Sequence, residues 1–114
     1  MTLTLWHNPR CSKSRATLTL LLDRGYDPQL RLYLQTPPTA AEIRAVQAAL
    51  GLPLIAMMRP KDKLFQELGL SADSKEPALL AAMVAHPGLI ERPILINGEK
   101  AAIGRPPDAV FSIL

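Results

Sequence analysis

Leu3-Thr4-Leu5-Trp6-His7-Asn8-Pro9-Arg10-Cys11-Ser12-Lys13-Ser14-Arg15 is the stretch from which the fold reads outward. Leu3–Trp6 is a short apolar run of β-compatible residues, the pattern of a buried strand. A loop holding Cys11 follows. From 12 to 24, apolar residues recur at 16, 18, 20, 21 and 22, and Gly25 supplies a C-terminal stop, so this segment is predicted to be a helix. The single cysteine is therefore placed at a helix N-terminus, where unpaired N–H groups and the positive end of the helix dipole stabilise a thiolate. Arg10, Lys13 and Arg15 lie within four residues of it. Position and charge together mark Cys11 as a nucleophile.

Leu30, Leu32 and Leu34 alternate with Arg31 and Tyr33, the period of a second strand that completes a βαβ unit. Thr36-Pro37-Pro38-Thr39 breaks the chain, and Thr39 followed by Glu42 forms a capping box opening a helix that runs to Leu50. Between 51 and 88 no strand pattern is present. Short helices are expected there around 54–58, 62–68 and 76–86, the last with Pro77 in its first turn. Pro93-Ile94-Leu95-Ile96, the turn pair Asn97-Gly98 and Ala101-Ala102-Ile103 predict a β-hairpin, and Pro106-Pro107 opens a last helix reaching Leu114. The expected fold is α/β, a single domain over 1–114. It has a mixed central sheet of about four strands and a helical insertion at about 37–90, between the second and third strands.

Composition narrows the function. A chain of 114 residues is long enough to bury a core without disulfides or metal. The net charge of +3 and pI near 9.4 come from dispersed basic residues, and aromatics make up only 4 %, which argues against nucleic acid as partner. The N-terminal residues lack a signal-peptide pattern and no apolar run approaches membrane-spanning length, so a soluble, cytoplasmic protein without a membrane partner is expected. One cysteine and two distant histidines supply no metal-ligand spacing. A phosphatase-type loop would need an arginine where Thr17 stands. With one cysteine no intramolecular disulfide forms, so any oxidation of Cys11 must be resolved by an outside thiol.

The βαβ unit with a cysteine opening its first helix, the Arg92-Pro93 pair entering the third strand, and the closing hairpin and helix resemble the thioredoxin fold, which places a cis-proline beside the cysteine. More closely, His7-Asn8-Pro9, Cys11, Ser14-Arg15, Glu91-Arg92-Pro93-Ile94 and Ile103-Gly104-Arg105-Pro106-Pro107 resemble the glutaredoxin-dependent arsenate reductase family along essentially the whole chain. That resemblance implies Cys11 as the nucleophile toward arsenate and Arg59, Arg92 and Arg105 as ligands of the oxyanion. His7, Asn8, Ser14, Arg15 and Pro93 are implied to support the site. It further implies glutathione as the external reductant and glutaredoxin as the protein that resolves the mixed disulfide; no tightly bound cofactor and a monomeric chain are expected. The chain departs from the best-known enzymes of the family by carrying Arg10 where they have a small residue and Lys13 where they have a threonine.

The chemistry explains the residue types. A thiolate approaching a doubly charged oxyanion meets repulsion of roughly 4 kcal/mol per unit pair of charges at about 4 Å and an effective dielectric of 20. Cations must surround such a site, and arginine suits it because its planar fork pairs with tetrahedral oxyanions and stays protonated. Two other functions fit the same sequence. A glutathione-linked thiol oxidoreductase needs the thiol but not the arginines. A redox regulator that grips RNA polymerase would use a second cysteine three residues after the first, and Ser14 stands there.

Overall fold

The computed structural model describes residues 2–114 as four strands, four α-helices and three short 3-10 helices. Strand β1 (Leu3–Trp6) is followed by α1 (Ser12–Asp23), β2 (Gln29–Arg31), α2 (Ala40–Leu50), α3 (Lys63–Glu67), α4 (Glu76–Ala85), β3 (Ile94–Asn97) and β4 (Lys100–Ile103). The 3-10 turns cover Leu54–Met57, Pro87–Leu89 and Pro107–Ile113. The chain groups into two compact units, one made of the residues up to Thr36 with Arg92–Leu114 and the other of Pro37–Glu91. Among the described residues no helix is long and apolar enough to cross a membrane.

The first unit carries the sheet, in the order β2-β1-β3-β4. β1 runs parallel to β2 and antiparallel to β3, and β3 pairs antiparallel with β4. Trp6, the last residue of β1, pairs with Arg31 at the end of β2 and with Ile94 at the start of β3, and Ile94 pairs in turn with Ile103 at the end of β4. The loop after β1, the exit of β2, the entry to β3 and the exit of β4 therefore meet at one edge of the sheet. Leu3 and Leu5 of β1, Leu95 of β3, Leu21 of α1 and Val110 of the last 3-10 helix form the core beneath them. This is the expected thioredoxin-like α/β arrangement, with a mixed four-stranded sheet and a helical segment between its second and third strands.

Two local expectations are corrected. The second strand stops at Arg31, because Gln35 and Thr36 donate their N–H groups to the Leu32 carbonyl and turn the chain, while Arg31 Nε donates to Thr36. The leucine alternation consequently fails: Leu30 and Leu34 are exposed, whereas Tyr33 is fully buried, stacked on Trp6 at 6.5 Å between ring centroids. The hairpin turn is centred on Gly98 and Glu99, with Asn97 already paired to Lys100. Gly98 at the first central position has φ +60, the geometry for which a type II′ turn selects glycine. Asn97 instead ties the hairpin down through an Nδ2 donation to the Ile113 carbonyl at 2.7 Å. The closing helix forms where expected, as a 3-10 helix over Pro107–Ile113.

The regular elements of the second unit are all helices, joined by turns, apart from an isolated bridge between Met58 and Ile90. The capping box opens α2 as its sequence dictates: Thr39 accepts from the Glu42 N–H at 3.2 Å and Glu42 accepts from the Thr39 N–H at 3.0 Å. Glu76, at the start of α4, accepts from Arg44 and Gln47 of α2 and from the Leu54 N–H, so one carboxylate joins three segments around Ile43, Val46, Leu54, Leu79 and Met83.

Candidate active site

Cys11 is the N-cap of α1, with extended backbone angles, its carbonyl accepting from the Arg15 N–H and its own N–H donating to the Asn8 carbonyl. Its side chain is partly exposed. The preceding loop is braced from within. Asn8 Oδ1 accepts from the Arg10 N–H, Arg15 Nη1 donates to the Pro9 carbonyl, and the Asn8 N–H donates to Ser14 Oγ, each at 3.0 Å. Ser14 Oγ and His7 Nδ1 share a hydrogen bond of 2.7 Å, its donor set by the histidine tautomer. Both side chains are buried. Burial, with the nearby Arg15 charge, holds the His7 imidazole below its ordinary value of 6.5, so this histidine is neutral at pH 7.

Two cations meet the thiol. Arg105, two residues beyond β4, brings Nη2 to 3.8 Å from Cys11 Sγ and donates Nε to the Arg92 carbonyl at 2.9 Å. Arg92, two residues before β3, stands near enough to the Cys11 side chain for its guanidinium to favour the thiolate. Burial pushes the thiol up, but the Ser14 N–H, the Arg92 guanidinium and the Lys13 N–H outweigh it, and the net shift is downward. Ser14 thus serves the thiol through its backbone, while its hydroxyl belongs to the loop.

Both arginines precede a proline joined by a cis peptide bond, Arg92-Pro93 and Arg105-Pro106. Pro93 accepts from the Gly104 N–H at 2.9 Å. Gly104 stands in the motif read from the sequence but is given no role there. A Cβ there would lie 2.6 Å from Thr17 Oγ1 and 2.7 Å from Pro93 Cγ, so only glycine lets β4 close on α1 and on the entry to β3. Its signal was the glycine immediately before Arg105. Thr17, also missed, is fully buried and donates its hydroxyl to the Lys13 carbonyl.

Arg59 belongs to the second unit, where Nη1 pairs with Glu91 Oε1 at 3.1 Å and the Arg59 N–H donates to the Leu89 carbonyl. Among the described residues no group of three or more His, Cys, Asp or Glu side chains is placed to hold a metal. What the first unit assembles is a thiol whose ionised form is favoured by two guanidinium groups and helix N–H groups, an arrangement able to attract a tetrahedral oxyanion and, as the thiolate, attack its central atom.

Known proteins are similar to this chain in sequence and in fold. A model of the ArsC family matches residues 6–113. The chain is 46 % identical to the arsenate reductase of Haemophilus influenzae over 116 residues, covering all of both chains. It is 48 % identical to the uncharacterized protein YfgD of Escherichia coli over 112 residues, covering 96 % of this chain and 94 % of the other. Its fold superposes on the solved structure of arsenate reductase from Vibrio cholerae with a TM-score of 0.96 at 46 % identity, covering 100 % of this chain and 98 % of that one. With a family model spanning nearly all its residues and relatives this similar over their full length, the chain belongs to the ArsC family.

Proposed function

We propose that the protein reduces arsenate to arsenite, with Cys11 as nucleophile and Arg92, Arg105 and Arg59 as oxyanion ligands. The observation that carries this reading is the approach of Arg105 Nη2 to within 3.8 Å of a thiol that also meets Arg92 at a helix N-terminus. The names of the similar proteins from Haemophilus influenzae and Vibrio cholerae support arsenate as the oxyanion.

In the first step the Cys11 thiolate forms a sulfur–arsenic bond and hydroxide leaves, protonated to water. The arginines neutralise charge that would otherwise oppose the approach. Glutathione thiolate then attacks Cys11 Sγ and a disulfide forms. The sulfur–arsenic bond breaks with its electron pair remaining on arsenic, so pentavalent arsenic becomes trivalent and departs as arsenite, while each sulfur is oxidised by one electron. The mixed disulfide on Cys11 is resolved by glutaredoxin. Such thiol chemistry suits a reducing compartment, and the cytoplasm is the proposed location.

The test is arsenate-dependent NADPH oxidation in an assay coupled through glutathione, glutaredoxin and glutathione reductase. Cys11→Ser should abolish turnover, and Arg92→Ala or Arg105→Ala should each reduce kcat about 10²-fold or more, the effect of deleting one preorganised anion donor. Thiol exchange that persists in both arginine variants, with no arsenate turnover by the native chain, would instead establish a glutathione-linked oxidoreductase without an oxyanion substrate.

A further inference from the structure

A half-enclosed cavity of about 250 Å³ lies beside the loop that presents Cys11. One wall is residues 7–10 and the other is Leu32, Leu34 and Gln35, just past β2. The sheet order makes its position informative. β1 lies between β2 and β3, so the Cys11 loop, which leaves β1, has the exit of β2 on one side and the ends of β3 and β4 on the other. Arg92 and Arg105 come from the β3 and β4 side. The cavity is on the β2 side.

Displacement at sulfur is in line: the entering thiolate approaches opposite the bond that breaks. In the reading proposed above, the leaving arsenic sits with the arginines, so the entering thiol must reach Cys11 Sγ from the side of β2. The cavity walls there offer apolar surface on Leu32 and Leu34, the Gln35 amide, and the Arg10 guanidinium, which is exposed and has no ion pair among the described residues. A volume just below the roughly 300–1,000 Å³ usual for small-ligand pockets admits part of a small peptide and excludes a folded protein.

We propose that this cavity docks the external thiol, a small peptide thiol whose carboxylate meets Arg10 and whose amide groups meet Gln35. The assignment rests on the proposed reductase reading for its direction of attack, and its test is chosen to stand apart from arsenate. After attack, the same molecule remains in the cavity as the mixed disulfide partner of Cys11.

The experiment uses the full chain and two variants, Leu34→Trp, which fills the cavity from a half-exposed position, and Gln35→Ala, which removes a polar contact without adding bulk. Formation of the Cys11 mixed disulfide is followed by mass with glutathione disulfide and, in parallel, with hydroxyethyl disulfide, which has neither carboxylate nor amide. Both variants should slow reaction with glutathione disulfide about fivefold or more while leaving the hydroxyethyl reagent unaffected, the size expected for losing about one net contact. In the coupled assay the KM for glutathione should rise and the KM for arsenate should not. Equal rates in native and variant chains, or an equal loss with both reagents, would overturn the proposal. A native chain that turns over no arsenate would sink the reductase reading alone, because the disulfide comparison still tests the cavity.

Discussion

Cys11 gathers most of the chemistry at the scale of the residue. Because the Ser14 and Lys13 N–H groups and Arg92 outweigh the burial that raises it, the thiol should alkylate with iodoacetamide at a midpoint below the ordinary thiol value, and Arg92→Ala should move that midpoint upward. His7 contributes a pH dependence of opposite origin. Its folded pKa is depressed by burial and by Arg15, so between that value and 6.5 the unfolded chain binds more protons than the folded one. The stability that neutral His7 supplies is complete above 6.5 and declines as pH falls toward the folded value. Thermal melts between pH 7 and 5 should therefore show a shallower slope for His7→Asn than for the native chain. The hydroxyl between His7 and the Asn8 N–H has no substitute, and Ser14→Ala should cost about 1–3 kcal/mol by leaving buried groups unpaired.

Elements succeed or fail here on single contacts. Gly104→Ala puts a methyl group into the space of Thr17 Oγ1 and Pro93 Cγ, and should destabilise the protein by about 1–3 kcal/mol in denaturant melts while displacing Arg105 and lowering turnover. In the second unit, Thr39→Ala removes half of the capping box and should cost about 1 kcal/mol, read as a lower denaturation midpoint with unchanged slope. These elements were unequally legible. Thr39 and Glu42 announce α2 because a capping box is a local arrangement, complete within four residues. The leucine alternation after β2 misled, since the turn around the Leu32 carbonyl and the stack of Tyr33 on Trp6 are made by residues that the period of a strand does not consider. In α1 the buried face is Ser14, Thr17 and Leu21, so two of its three positions are polar and invisible to a hydrophobic pattern.

The molecule as a whole has one thiol and therefore one site at which a disulfide forms. Treatment with glutathione disulfide should yield a singly modified chain, and mild oxidation without added thiol should yield a disulfide-linked pair of chains; non-reducing mass analysis should find neither in Cys11→Ser. Charge is dispersed over the sequence, yet Arg92 and Arg105, separated by a hairpin, arrive at the same thiol because antiparallel β3 and β4 bring their flanking residues to one edge of the sheet. The prolines after both arginines were legible as motifs. The distances were not.

By itself the sequence determined where the one thiol stands and what surrounds it locally. A lone cysteine between an apolar strand and a helix start, with cations beside it, has its placement written in local geometry, as do the capping box and the turn glycine at 98. Only the tertiary structure decided which groups share a site. The hydrogen bond between Ser14 and His7, the fit of Gly104 against Thr17 and Pro93, and the approach of Arg105 to Cys11 join residues from 7 to 94 positions apart. Such contacts depend on how strands are ordered and registered, which is settled by packing of the whole sheet against its core and leaves no trace in the period of any single segment.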